Sequence, residues 1–266
     1  MSSQDLLSVC ETIWDNWKNP NPENTPCDGC PAHWTEREDY HPNQQGAIGH
    51  SPYFGHGELT DIDVVILGEE PGGDKRKAGA TDWSKKEFKD KRKPDIKDAF
   101  RGANTLEWVL PLIDELDRSH SVYFTQIKKC QEMDDSSKNN EAQIRCAGID
   151  EFSNQGYLKT ELKTADPKYV IGLGMSVCSR FQSLYEMETI DLDDFTPEIA
   201  TGESRMRLRR LNVRNQQFKF IPMPHPNGGI HKYTREKLNE DWPSGLRDQS
   251  EKYFGLAGED VVEFLS

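Results

Sequence analysis

"IDVVILGEEPGG" spans residues 62–73, and its reading decides the fold. A short aliphatic run breaks into a Gly/Pro turn, the mark of a strand covered on both faces in a parallel sheet. A glycine-rich turn after such a strand usually cradles phosphate with backbone N–H groups and holds no negative charge. Here the turn carries two carboxylates, Glu69 and Glu70. A Glu after a strand is usually a surface or capping carboxylate, and a phosphate loop has no use for one.

Three further apolar runs read as strands: "SVYFTQI" (121–127), "KYVIGL" (168–173) and "FKFIP" (218–222). Helical periodicity fits 4–18, 104–117, 141–163 and 175–186. Asn104 is placed to cap the second of these, and Pro111 to kink it. Strands alternating with helices predict a three-layer α/β/α protein with a short central four-stranded parallel sheet, one domain over residues 1–266. Ligands of such sheets bind at the carboxyl ends of the strands. Those ends carry Gly68–Gly72, Gln126, Gly172–Gly174 and Pro224–Asn227. Residues 19–60 read as an ordered loop, 186–203 as an acidic excursion, and "RMRLR" (205–209) as an edge hairpin.

The 266 residues carry 46 acidic and 33 basic side chains, a net charge of −13, which by itself argues against general nucleic-acid binding. The distribution argues otherwise. Lys75–Arg101 holds 11 Lys/Arg against 5 Asp/Glu, and Arg205–Arg214 holds five Arg and no acid. Each run alone is a solvated loop; together they suit a basic footprint on an acidic body. No stretch approaches the roughly 20 apolar residues of a membrane span, and the N-terminus lacks a signal-peptide pattern. A soluble, cytoplasmic monomer is expected.

Six cysteines in a cytosolic chain suggest metal or redox roles before disulfides. "PCDGCP" sets Cys27 and Cys30 two residues apart, so both thiolates can face one ion. Cys130 and Cys146 do not repeat that spacing, as a zinc ribbon would, whereas an iron–sulfur cluster accepts dispersed ligands. Four-ligand binding competes with a plainer reading of Cys130 and Cys146 as buried thiols, like Cys10 and Cys178.

The motifs occur in a telling order: "CDGC", "FGHGEL" (54–59), "VVILGEEPG", "FTQIKKC", then Cys146, "PKYVIGLG" and "HPN" (225–227). From Cys27 to about Asn227 this order resembles the iron–sulfur branch (family 4 type) of the uracil-DNA glycosylase superfamily. There are departures. Gln126 stands where the family has a pocket Asn, Asn227 where it has Ser, and Glu70 where it has a small residue. The family's Gly-Arg-Pro-Phe segment is missing, although "AGATDW" puts Trp83 nearby. All of these changes fall where the base is read.

The resemblance implies a DNA glycosylase that hydrolyses the N-glycosidic bond of uracil or a related deaminated base. Glu69 would stabilise the cation-like sugar and orient the attacking water, and His225 would donate to the oxyanion forming on the base. Gln126 and Asn227 would read the base edge, Trp83 or Phe54 would stack on it, and the turn at Gly68, Pro71 and Gly72 would line the pocket. Lys75, Arg76, Lys77, Arg207 and Arg209 would track DNA phosphates, with Ile230 as a wedge in the vacated stack. Cys27, Cys30, Cys130 and Cys146 would hold a structural [4Fe–4S] cluster. The alternative is a nucleic-acid-binding member of the same fold that does not cleave. A third reading, a metal-dependent hydrolase, would use Glu69, Glu70 and the histidines His33, His41, His50 and His56.

Overall fold

The computed structural model describes residues 5–33, 36, 55–69, 93–130, 136–187, 189–191, 198–199, 206–226 and 245–265. In chain order the elements begin with α1 (Leu6–Lys18), β1 (His56–Gly57), β2 (Val64–Gly68) and α2 (Ile96–Phe100). A 3-10 helix (Asn104–Val109) then leads into α3 (Leu110–Leu116), followed by β3 (Val122–Gln126), α4 (Ser136–Ala147) and α5 (Tyr157–Ala165). The chain continues through β4 (Tyr169–Leu173), α6 (Met175–Tyr185), β5 (Glu198–Ile199) and β6 (Met206–Arg207). It closes with β7 (Leu211–Asn212), β8 (Lys219–Met223) and α7 (Leu246–Leu265).

Six of the strands form one sheet in the order β1-β3-β2-β4-β8-β7. β2 and β4 pair in parallel from Val64↔Tyr169 to Leu67↔Gly172, and β4 and β8 in parallel from Tyr169↔Lys219 to Leu173↔Met223. β2 and β3 also run parallel, since Val64 N–H bonds to Ser121 C=O at one end and Ile127 N–H to Gly68 C=O at the other. The four strands expected from sequence are thus present. All five residues of β2 and of β3 are buried, which is why both read as continuous runs rather than as alternation.

The expected four-stranded parallel sheet is corrected to a six-stranded mixed one. β1 pairs antiparallel with β3 and β7 antiparallel with β8, one at each edge. Each is two residues long, too short to leave a periodic trace in the sequence. The basic segment behaves differently from one hairpin: Met206–Arg207 pairs with Glu198–Ile199 in a separate two-stranded sheet.

The expected helix 104–117 is also two elements. Asn104 takes a left-handed φ of 50° and caps nothing, and Pro111 enters α3 in its first turn. A proline there removes an N–H that the helix does not use, so it starts a new helix instead of kinking a long one. The span 141–163 divides likewise into α4 and α5, with Gly148 at a φ of 85° after α4.

The residues gather into two compact units interleaved along the chain. The first takes its described residues from 1–55, 68–92 and 125–165, and the second from 56–67, 93–124 and 166–266. In the first, Asp5 caps α1 by accepting from Ser8 N–H at 2.7 Å, and Val9, Cys10, Ile13, Trp14 and Trp17 form its buried face with Cys27, Cys146 and Tyr157. In the second, Phe181 of α6 stacks on Phe220 of β8 with centroids 4.1 Å apart, and α7 packs against α3. Among the described residues, no helix is long and apolar enough to cross a membrane.

Candidate functional site

The first unit holds all four sequence-selected cysteines. A tight turn presents the first pair: Thr25 C=O accepts from Asp28 N–H at 3.0 Å, and Cys27 C=O from Cys30 N–H at 3.1 Å. Cys130 follows directly on the end of β3, and Cys146 sits in the last turn of α4. All four are buried, as are Cys10 and Cys178. The Cys27 sulfur lies 3.3 Å from the Tyr157 hydroxyl, which accepts from Asn16 Nδ2 at 3.1 Å.

These thiols feel one another. Burial pushes Cys27 far up, against the Tyr157 hydrogen bond, and Cys146 and Cys30 push the same way. Cys30 is pushed up to about 12, chiefly by burial and then by the Cys146 charge. Cys130 donates to Cys146, so Cys130 is raised and Cys146 drawn down to about 7 in spite of its burial. The Lys129 N–H and the charges of Lys129 and Lys128 also favour the Cys146 thiolate.

Sequence reasoning passed over those two lysines. Lys128 is fully buried with its ammonium on Asn139 Oδ1, and Lys129 is 1% exposed and ion-paired with Glu161, itself 1% exposed. The charges of both lysines favour anionic sulfur at Cys146. Their signal was present: "KK" inside an apolar strand end is costly unless something there needs the charge.

Among the described residues, no group of three or more His, Cys, Asp or Glu side chains is arranged to hold a metal ion. The donor set nevertheless suits a four-thiolate group in kind: four buried sulfurs, with two lysine charges favouring the thiolate at Cys146. His33 does not join them. It is 2% exposed, and its Nε2 donates to the Trp17 carbonyl at 2.9 Å; His41 and His50 lie outside the described residues.

A second cluster in the same unit surrounds Glu69. Gly68 ends β2, and a Cβ at that position would come within 3.0 Å of Gln126 Cδ, so only glycine lets the Gln126 amide lie across the backbone here. Gln126 is 4% exposed, and its Oε1 is buried without a hydrogen-bond partner among the described residues. Glu69, next along, is half-buried; its C=O accepts from Lys128 N–H at 3.0 Å and its Oε1 from Gln143 Nε2 at 3.1 Å. Gln143 was not selected from sequence, although its place three residues before Cys146 puts the two on one side of α4.

His225 belongs to the second unit, two residues past β8, and is exposed. Gly174, at a φ of 98°, bonds its N–H to Met223 C=O at 2.7 Å and passes so close to His225 that an added Cβ would lie 3.1 Å from the His225 Cβ. Arg207 and Arg209 are exposed in the same unit. A cleft of about 640 Å³ there is lined by Arg209, Arg210 and Arg214 together with Glu186 and Asp191. Arg210 is tied to Asp260 at 2.6 Å, so this wall is of mixed charge. Phe54, Glu70, Pro71, Gly72, Lys75, Arg76, Lys77, Trp83, Asn227 and Ile230 lie outside the described residues. No family model matches the chain, and no curated protein matches it.

Proposed function

We propose that the chain is a DNA glycosylase that removes uracil or a related deaminated base. One observation carries the reading: at the end of β3 the buried Gln126 amide oxygen has no partner among the described residues, and the Glu69 carboxylate follows the neighbouring β2. A buried acceptor left unpaired is costly, and a ligand donor would satisfy it. Deaminated bases carry such a donor, the ring N–H next to a carbonyl. A base reaches the pocket only when flipped from the stack.

Hydrolysis then needs an anion under the sugar. As the glycosidic bond breaks, its electron pair leaves with the base and the sugar gains oxocarbenium character, which the Glu69 carboxylate stabilises while it orients the attacking water. Water adds to the anomeric carbon and loses a proton, and the departing base anion takes one up. His225 has, from the resemblance, the role of donor to the base oxygen. Cys27, Cys30, Cys130 and Cys146 would hold a [4Fe–4S] cluster, whose contribution when bound is to cross-link the N-terminal loop, the end of β3 and α4.

The test is alkaline cleavage of labelled oligonucleotides carrying uracil, hypoxanthine or xanthine, with Glu69→Ala and His225→Ala as controls. Cleavage at one base that both substitutions abolish is the expected result. Absence of cleavage by iron-loaded protein would replace this reading with the non-cleaving binder.

A further inference from the structure

Helix α4 brings a polar side chain into the buried part of the first unit for no evident packing reason. Gln143 is 3% exposed, and burying an amide is costly unless it is used. It is used on Glu69: Gln143 Nε2 donates to the carboxylate Oε1 at 3.1 Å. The backbone beneath is fixed as well, by Ile127 N–H on Gly68 C=O at 2.9 Å and Lys128 N–H on Glu69 C=O at 3.0 Å. Glu69 is thus gripped at its main chain by the residues after β3 and at its side chain by α4.

The donor is a neutral amide, which orients a carboxylate without bringing a charge of its own.

We propose that Gln143 is the positioning residue of Glu69, a neutral donor that fixes the carboxylate's rotamer. The inference rests on the glycosylase reading. It is tested by a double-mutant cycle in the full-length, iron-loaded protein, using single-turnover release of uracil from a labelled oligonucleotide. Gln143→Leu keeps the buried volume and removes the donor, so the single-turnover rate constant at saturating enzyme is expected to fall by about tenfold with the half-saturating enzyme concentration unchanged, the loss of one hydrogen bond to a charged acceptor. In a Glu69→Gln background the same change is expected to cost less than about twofold, because its effect runs through the carboxylate. A wild-type rate for Gln143→Leu overturns the proposal, and so does an equal loss in both backgrounds, which would mark general packing. If Gln143→Leu does not fold, Gln143→Glu replaces it: the near-isosteric acid turns the donor into an acceptor and is expected to lose at least as much, and a wild-type rate there again overturns the proposal. If the wild-type chain releases no base, the glycosylase reading fails separately. The positioning claim is then decided by the same cycle in urea unfolding, where coupling between the two sites supports it and additivity overturns it.

Discussion

Replacing Glu161 by Leu should be among the most damaging single changes in the first unit. Lys129 and Glu161 are each 1% exposed and ion-paired, and Thr125 Oγ1 bridges them, accepting from Lys129 Nζ at 2.8 Å and donating to Glu161 Oε1 at 3.1 Å. Burial is complete, so solvent screening offers no relief. Removing one partner of a buried pair strands the other charge, at a cost of about 3–5 kcal/mol. Lys129 Nζ keeps Thr125 and the Gln126 carbonyl, which accepts at 2.5 Å, so the lower end, about 3 kcal/mol, applies here. At about 2–4 °C per kcal/mol for a chain of this size, Tm should drop by roughly 10 °C. Removing both charges in Lys129→Met/Glu161→Leu leaves no stranded ion and should return stability to within about 1 kcal/mol of wild type. Urea unfolding followed by far-UV circular dichroism reads both variants. A Glu161→Leu cost under about 1 kcal/mol, or a double variant no better than the single, would refute the reasoning.

Other outcomes are expected from the same contacts. Serine at Cys27, Cys30, Cys130 or Cys146 should abolish bound iron measured on the purified protein, whereas Cys178→Ser should retain it. Burial lowers the pKa of His33 below its usual 6.5, so the unfolded chain takes up a proton that the folded chain does not. His33 therefore contributes stability above pH 6.5 that is lost as pH falls from there toward its folded value; His33→Gln should flatten this part of a Tm-versus-pH curve. Gly174→Ala forces a side chain into a φ of 98° against His225 and should cost about 1–3 kcal/mol in unfolding experiments.

Much of the architecture was legible because it rests on burial that sequence reports directly. Val64–Leu67 and Val170–Leu173 are apolar runs because parallel central strands meet no solvent. The edges were not legible: His56–Gly57 and Leu211–Asn212 are strands only because β3 and β8 offer open backbone groups. Pro111 misled for a positional reason, since the same residue breaks a helix interior and suits a first turn. At the candidate site, Glu69 and Gln126 stood out from their strand ends. Gln143 did not, because nothing local distinguishes an amide that reaches a carboxylate 74 residues away from one facing water. Spacing nominated the four thiols, but the two buried lysines that favour an anionic sulfur became evident only through their burial.

The central claim is that the buried Gln126 acceptor reads a base whose release the Glu69 carboxylate drives. Quantifying the free base set loose from uracil-, hypoxanthine- and xanthine-containing oligonucleotides by wild type, Gln126→Leu and Glu69→Gln tests it most directly. The account predicts release of one base by wild type, a loss of about 100-fold or more in Glu69→Gln, and in Gln126→Leu a loss of at least about tenfold with DNA affinity retained. Release that is indifferent to Gln126, or no release of any base by the iron-loaded wild-type protein, would contradict it.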